Sequence, residues 1–451
     1  MNHSIVYKDK VQLLKTVKFL IVLTLFFLKP LLSSGQESVE MHVHAGESFY
    51  VHASESVGIV SNVINSGSFG TYPGAAVNFS GQRWTNNAGS RLVDESASGS
   101  GGLGGYVRFI SASGSAQFID SRNTVPSANG FPNLAIANTG NVVLEGADLI
   151  IRGTLNFEAG KLILNNRNTV LASNATITGY DNTKFVVTGT GTDGGFLVRN
   201  VSGTQIADIV YPIGATLNSY TPASINYRGV AQGIKVRVFE NVYERAVFGM
   251  PDNVNYVPKT WNVSFAISDP SAVMSLSTQH NANEEGSAFA AKRSESYISR
   301  YIASTEKWDK IASTGVSPAN ITTGNAIANA YLNSRAAISG FSTNEYFSKS
   351  ILNANTSPIA GLRIPAGISP NNDGLNEKFI IENLQPTDRV RLDIYNRWQT
   401  LVFRDGNYKN TFDGIGNQKG LVNNELPDGT YYYILNINTE KPITGYIVIN
   451  R

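Results

Sequence analysis

From about residue 41 to 200 the chain alternates short apolar runs with breaks of Gly, Asn, Ser or Asp. The clearest runs are Val142-Val143-Leu144, Leu149-Ile150-Ile151, Leu155-Asn156-Phe157, Leu162-Ile163-Leu164, Val170-Leu171, Thr176-Ile177 and Phe185-Val186-Val187. Strands this short and this regularly spaced suit a β-solenoid or a β-sandwich. Few runs are long enough to alternate as sandwich strands do, and the Gly/Asn breaks read as corners. A solenoid-like repeat region over 37–195 is the expectation, with Gly99 to Gly105 as a flexible turn.

Between 196 and 350 the period changes. Ile234, Val236 and Val238 alternate with Lys235 and Arg237, and Trp261, Val263, Phe265 and Ile267 alternate with polar residues. Period 2 over this length marks half-buried antiparallel strands. Pro212, Pro222, Pro251, Pro258 and Pro270 sit between the runs, where they remove no ladder hydrogen bond. The pattern predicts a central β-sandwich, then a linker over 351–365 and a last module over 366–451 of Ig-like size. In that module Val390, Leu392 and Ile394 share one face, as do Tyr431, Tyr433, Leu435 and Ile437. The chain is expected to be all-β throughout.

Ahead of these elements, Lys8, Lys10, Lys15 and Lys18 precede the apolar run Phe19 to Leu28, and small residues follow at Ser33-Ser34-Gly35. That order describes a secretory signal peptide over 1–36, with cleavage between Gly35 and Glu37. The run is too short for a bilayer, which takes about 20 apolar residues. The whole chain carries a formal charge of +2. Residues 1–36 hold five Lys and one Asp, a net +4, so the remainder carries −2. A near-neutral mature chain gives no electrostatic case for nucleic acid. With no cysteine, disulfides, Cys-ligated metals, a Cys nucleophile and a lipoprotein anchor are all excluded. Stability in an oxidising compartment would then rest on β cores and bound ions.

The last module holds the most specific residues. Ser369-Pro370-Asn371-Asn372-Asp373-Gly374-Leu375-Asn376-Glu377-Lys378-Phe379 opens it, and Ile394-Tyr395-Asn396-Arg397-Trp398 lies mid-module. Phe412-Asp413-Gly414, Leu426-Pro427-Asp428-Gly429-Thr430-Tyr431-Tyr432-Tyr433 and Gly445-Tyr446-Ile447-Val448-Ile449-Asn450-Arg451 complete it. In this order the blocks resemble the gliding-motility-associated C-terminal domain, the type-B sorting signal of the bacterial type IX secretion system. Gln399 stands where the family usually has Gly, Asn372 likewise, Phe412 for Trp and Glu377 for Asp. The resemblance implies Sec export, passage through the type IX translocon and its outer-membrane shuttle and accessory proteins, then residence on the cell surface or release. It also implies that Gly445, Tyr446, Ile447, Val448, Ile449, Asn450 and Arg451 form the edge read by the export partners.

Candidate chemistry elsewhere is sparse. Gly99/Gly101/Gly104 and Gly189/Gly191/Gly194 match G-x-G-x-x-G, but each runs into a strand where a dinucleotide site needs a helix, so both read as turns. His42 and His44 share a strand face and could chelate a metal, with His52, Glu40 and Glu47 close by; a polar outer face of a first rung is the simpler reading. Glu284-Glu285 lie in an Asn-rich turn, and no triad can be built around His280. Asn371, Asp373, Asn376 and Glu377 surround a glycine bend, so calcium is the one candidate ion; an Asx turn is the competing reading. Tyr and Phe density admits stacking surfaces for sugars, although core packing is the simpler use. These features point to a non-enzymatic adhesin or structural surface component linked to gliding motility, with other adhesins or glycans as partners. Two further readings are a polysaccharide-active enzyme built on the solenoid and an adaptor that carries other surface proteins.

Overall fold

A computed structural model of the chain describes residues 40–94, 103–122, 130–204, 207–352, 362–384, 388–419, 424–438 and 442–451. The signal-peptide segment and most of the turn at 99–105 lie outside the described residues. Two compact units divide the chain.

The first unit begins as a parallel β-solenoid of about seven turns. Its opening turn consists of Glu40–Val43, Ser48–Val51 and Ser56–Ile59, and the next repeats it with Asn62–Asn65, Ser68–Thr71 and Ala76–Phe79. Corresponding strands stack in register, Glu40 on Asn62 and Val63 on Trp84. One face is a sheet of eight strands reaching Ile213–Gly214, so the ladder runs on beyond residue 195. A second face has six, from Ser56–Ile59 to Thr176–Thr178. Inward positions repeat from turn to turn, so like residues stack. Val63, Trp84, Ile119 and Leu144 form one buried column. Ile59, Phe79, Phe109, Ile136 and Phe157 form another. Edge-to-face rings tie the columns together, with Phe79 5.0 Å from Phe109 and 5.4 Å from Trp84.

Corners explain why the runs are so short. Gly160 turns at φ 74, where a Cβ would fall 1.8 Å from the Asn138 carbonyl oxygen. Inside the corners, buried amides replace the missing ladder bonds: Asn65 Nδ2 donates to Asn86 Oδ1 at 3.3 Å, and Trp84 Nε1 donates to the same oxygen at 3.1 Å.

The third face leads into the sandwich. Leu149–Ile151, Thr169–Leu171 and Leu197–Val201 are parallel, and Leu197–Val201 then pairs antiparallel with Gln232–Glu240. That sheet continues through Lys259–Phe265, Asn344–Ser350 and Tyr297–Ile302. Opposite it lies a sheet of Ile209–Tyr211, Ala223–Arg228, Val273–Asn281 and Ala330–Ser339. One continuous apolar core runs from Val43 through to Phe347. On this third face the solenoid's C-terminal edge is thereby paired within the fold, which removes one site of edge-to-edge aggregation.

The second unit, described over 362–451, is built on one five-stranded sheet. Its order is Gly367–Ile368, Ile443–Ile449, Gly429–Ile437, Val390–Tyr395, Leu401–Asp405. Val390, Leu392, Ile394, Tyr431, Tyr433, Leu435, Ile447 and Ile449 point to one face, where Phe379, Ile381, Tyr408, Phe412 and Leu426 from irregular segments cover them. The two positions lacking the family's glycine keep the turn it would make: Asn372 sits at φ 66 and Gln399 at φ 61.

Candidate functional site

Alternation splits the C-terminal strand into two sets of residues. Ile447 and Ile449 are buried in the module's core, whereas Tyr446, Val448, Asn450 and Arg451 are exposed and Gly445 is half-buried. The sheet's register places Tyr446 beside Tyr432, and Tyr432 beside Tyr395. Tyr432 and Tyr446 are 52% and 56% exposed, and Trp398 on the neighbouring turn is 69% exposed with the Arg397 guanidinium 4.2 Å from its ring. Gly445 lies under Tyr433, whose ring would meet any Cβ there. The result is an aromatic outer face over an apolar inner one.

Only Val448-Ile449 of this strand pairs with Gly367-Ile368, so residues 443–447 present an outer edge without a ladder partner among the described strands. Arg451 is anchored within the module. Its guanidinium contacts Glu425 at 3.1 Å and Asp428 at 3.2 Å and donates to the Leu426 carbonyl at 2.7 Å. Beneath the outer face, Arg391 and Arg404 both hold Asp393 at 2.8 Å. Burial works against this carboxylate, but the two arginines outweigh it and hold its pKa below the usual value.

Asn371, Asp373, Asn376 and Glu377 do gather in one exposed loop, yet their oxygens serve its backbone. Asn371 Oδ1 accepts from Asp373 N at 3.1 Å, Asp373 Oδ1 from Leu375 N at 2.8 Å and Glu377 Oε1 from Gly374 N at 3.0 Å. The Asn376 carbonyl accepts from Ser369 N at 2.9 Å. This is Asx-turn geometry. Among the described residues no three His, Asp or Glu side chains group as a metal site. His42 and His44 stack at 5.7 Å and His42 meets Glu40, while His52 stacks separately on Tyr72.

The described glycine loop, Gly189 to Gly194, does the reverse of cradling a phosphate. Its Gly191 and Gly194 carbonyls accept from the buried Arg237 guanidinium, which lies between the rings of Phe196 and Phe239. Burial lowers the Arg237 pKa to about 10.

A buried ionic network in the sandwich is absent from the sequence expectations. His280 Nε2 lies 2.6 Å from Glu285 Oε1, and Arg293 forks onto the same carboxylate at 2.6 and 2.5 Å. Lys349 Nζ lies 2.8 Å from His280 Nδ1 and donates to the Tyr331 carbonyl at 2.9 Å. Burial, then the neighbouring lysine, pulls the His280 pKa down to about 3. Burial likewise holds Lys349 well below the ordinary amine value. Burial opposes the Glu285 carboxylate, but hydrogen bonds from His280 and Arg293 prevail and hold it at about 2. Three side chains in relay order resemble a proton shuttle, but His280 and Lys349 are fully buried, so a substrate has no approach. Their signal was parity: His280 continues the inward set Met274, Leu276, Thr278, and Lys349 continues Glu345, Phe347.

No curated protein and no solved structure matches the chain. The family model of the CHU_C type IX secretion signal domain matches it over residues 362–449, which are the second unit's sheet and its covering segments. The chain therefore carries a CHU_C type IX secretion signal domain at its C-terminal end and is a type IX secretion substrate.

Proposed function

We propose that the chain is a non-enzymatic adhesin of the cell surface, delivered by its sorting module and binding its target through the solenoid–sandwich unit. The observation that carries this reading is the single core of that unit, which joins seven turns and two sheets into one stiff body. Such a body offers reach and fixed faces, which adhesion uses and turnover does not require. Three carboxylates along the solenoid's outer surface support the same reading, because arginines engage them: Glu145 by Arg83, Glu158 by Arg108 and Asp120 by Arg122. Glycoside hydrolysis asks instead for two carboxyl groups free to face a substrate. The strip of exposed Tyr432 and Tyr446 beside half-buried Tyr395, with the neighbouring strand edge, is the surface offered to the export partners.

Deleting residues 362–451 tests delivery: the truncated chain should collect in the periplasm, and normal surface display would refute the sorting role. Adhesion is tested with the full chain displayed on cells. Loss of attachment on deleting the gene, restored by the chain in trans, is expected, and unchanged attachment would refute it.

A further inference from the structure

Where the solenoid meets the sandwich, four segments line a cleft of about 250 Å³. Asn182 and Asn218 come from the last solenoid turns, Asn283 from the helical turn after Val273–Asn281, and Asn329 from the loop before Ala330–Ser339. That loop is tied down. Thr323 donates to the Tyr180 carbonyl through N at 3.0 Å and through Oγ1 at 2.9 Å. The Tyr220 hydroxyl donates to the Ile321 carbonyl at 2.7 Å, and Ile321 N donates to Gln279 Oε1 at 2.7 Å. The backbone of that wall is therefore held in place, which lowers part of the ordering cost of binding.

Among the described residues the side-chain amides of Asn182, Asn218, Asn283 and Asn329 make no hydrogen bond within the protein. Four unspent amides thus surround one opening. No Asp, Glu, Lys, Arg or His lines it, so an ion would enter without a counter-charge. Each amide both donates and accepts, and so does each hydroxyl of a sugar. Tyr220 and Ile327 add apolar wall for the C–H face of a ring. The volume lies just under the usual range for small-ligand sites, which limits the occupant to about one ring.

We infer that this cleft binds one ring of a neutral saccharide through its asparagine amides. The inference rests on the adhesive reading only for its biological use; the binding itself is testable on the purified, full exported chain. The probes are cellobiose, mannobiose and diacetylchitobiose at millimolar concentration, observed by saturation-transfer NMR. Transfer to at least one of them is expected, unchanged by added salt. The double substitution Asn218→Ala, Asn329→Gly should weaken that binding about tenfold at an unaltered melting temperature; glycine suits residue 329, which sits at φ 57. If the pair perturbs folding, Asn182→Leu on its exposed turn fills the cleft from one side and must act alike. Absence of transfer from all three sugars, transfer that survives the substitutions, or binding lost on adding salt would each overturn the assignment. Intact sugar binding with unaffected cell attachment would fault the adhesive reading alone.

Discussion

The Nζ atom of Lys349 and Nδ1 of His280 lie 2.8 Å apart in the buried interior of the sandwich, and the pair can hold only one extra proton. A charged ammonium needs the Nδ1 lone pair; a charged imidazolium needs the lone pair of the amine. The two titrate as a unit, so the consequence for stability does not depend on which of them carries the proton.

Acid should therefore destabilise this unit early. His280 and Lys349 are lowered bases and Glu285 is a lowered carboxyl, so at each the unfolded chain holds more protons than the fold. Stability then rises with pH across each interval between folded and unfolded pKa. The imidazole contribution is complete above about pH 6.5 and drains away as the pH falls towards about 3, with the carboxyl adding its loss below about 4.5. For the His280–Lys349 pair as one unit this amounts to on the order of 5 kcal/mol over that interval. Calorimetric melting of the unit should fall steadily from about pH 8 to about pH 4, and Lys349→Met should flatten the slope. A flat melting temperature in the parent chain would contradict the network.

Two glycines separate backbone strain from collision. Gly46 sits at φ 84 with no atom within 4 Å of the place a Cβ would take, so Gly46→Ala carries only the left-handed penalty, about 1 kcal/mol. Gly160→Ala adds a collision with the Asn138 carbonyl and should cost on the order of 3 kcal/mol or more. Equal losses in denaturant unfolding would mean that the Gly160 corner relaxes freely.

In the sorting module the departure at Gln399 is correctable. Its residue holds φ 61, with Gln399 N donating to the Asn396 carbonyl at 3.0 Å, so the turn forms despite the side chain. Gln399→Gly removes the strain at an exposed site and should stabilise the module by about 0.5–1 kcal/mol, net of the entropy glycine adds to the unfolded chain. Thermal melting with the module's transition unmoved or lowered would show that the turn is not strained.

The solenoid was legible because each turn must bury its own apolar residues, so Val142-Val143-Leu144 and its successors recur at the spacing of the coil. Junction pairing was not legible. Leu197–Val201 meets Gln232–Glu240 across thirty intervening positions, a register no local pattern encodes. Strands of two residues, such as Leu162–Ile163, have no period to read. In the sorting module the resemblance treats Gly445 to Arg451 as one edge, whereas the strand's alternation buries Ile447 and Ile449 in the core and leaves Tyr446 outside. The cleft asparagines look like ordinary turn formers in sequence, since Asn in a loop satisfies that reading whether or not its amide is spent.

That alternation gives the sharpest test of export. Tyr446 and Tyr432 lie exposed on the outer face, while Ile447 is fully buried one residue along the same strand. Ile447→Asp places an unpaired carboxylate in the core and should unfold the module, abolishing export for a trivial reason. Tyr432→Ser with Tyr446→Ser removes only exposed ring surface, so the module's melting temperature should shift by no more than about 0.5 kcal/mol equivalent. If partners read this face, secretion of a reporter fused to the module should nevertheless fall severalfold. Arg451→Lys supplies the comparison: its fork joins Glu425, Asp428 and the Leu426 carbonyl within the module, so its loss should lower the melting temperature more than the serine pair while leaving the aromatic face intact. Full secretion of the serine pair, with reduced secretion of the arginine variant, would move recognition from the aromatic face to the end of the strand.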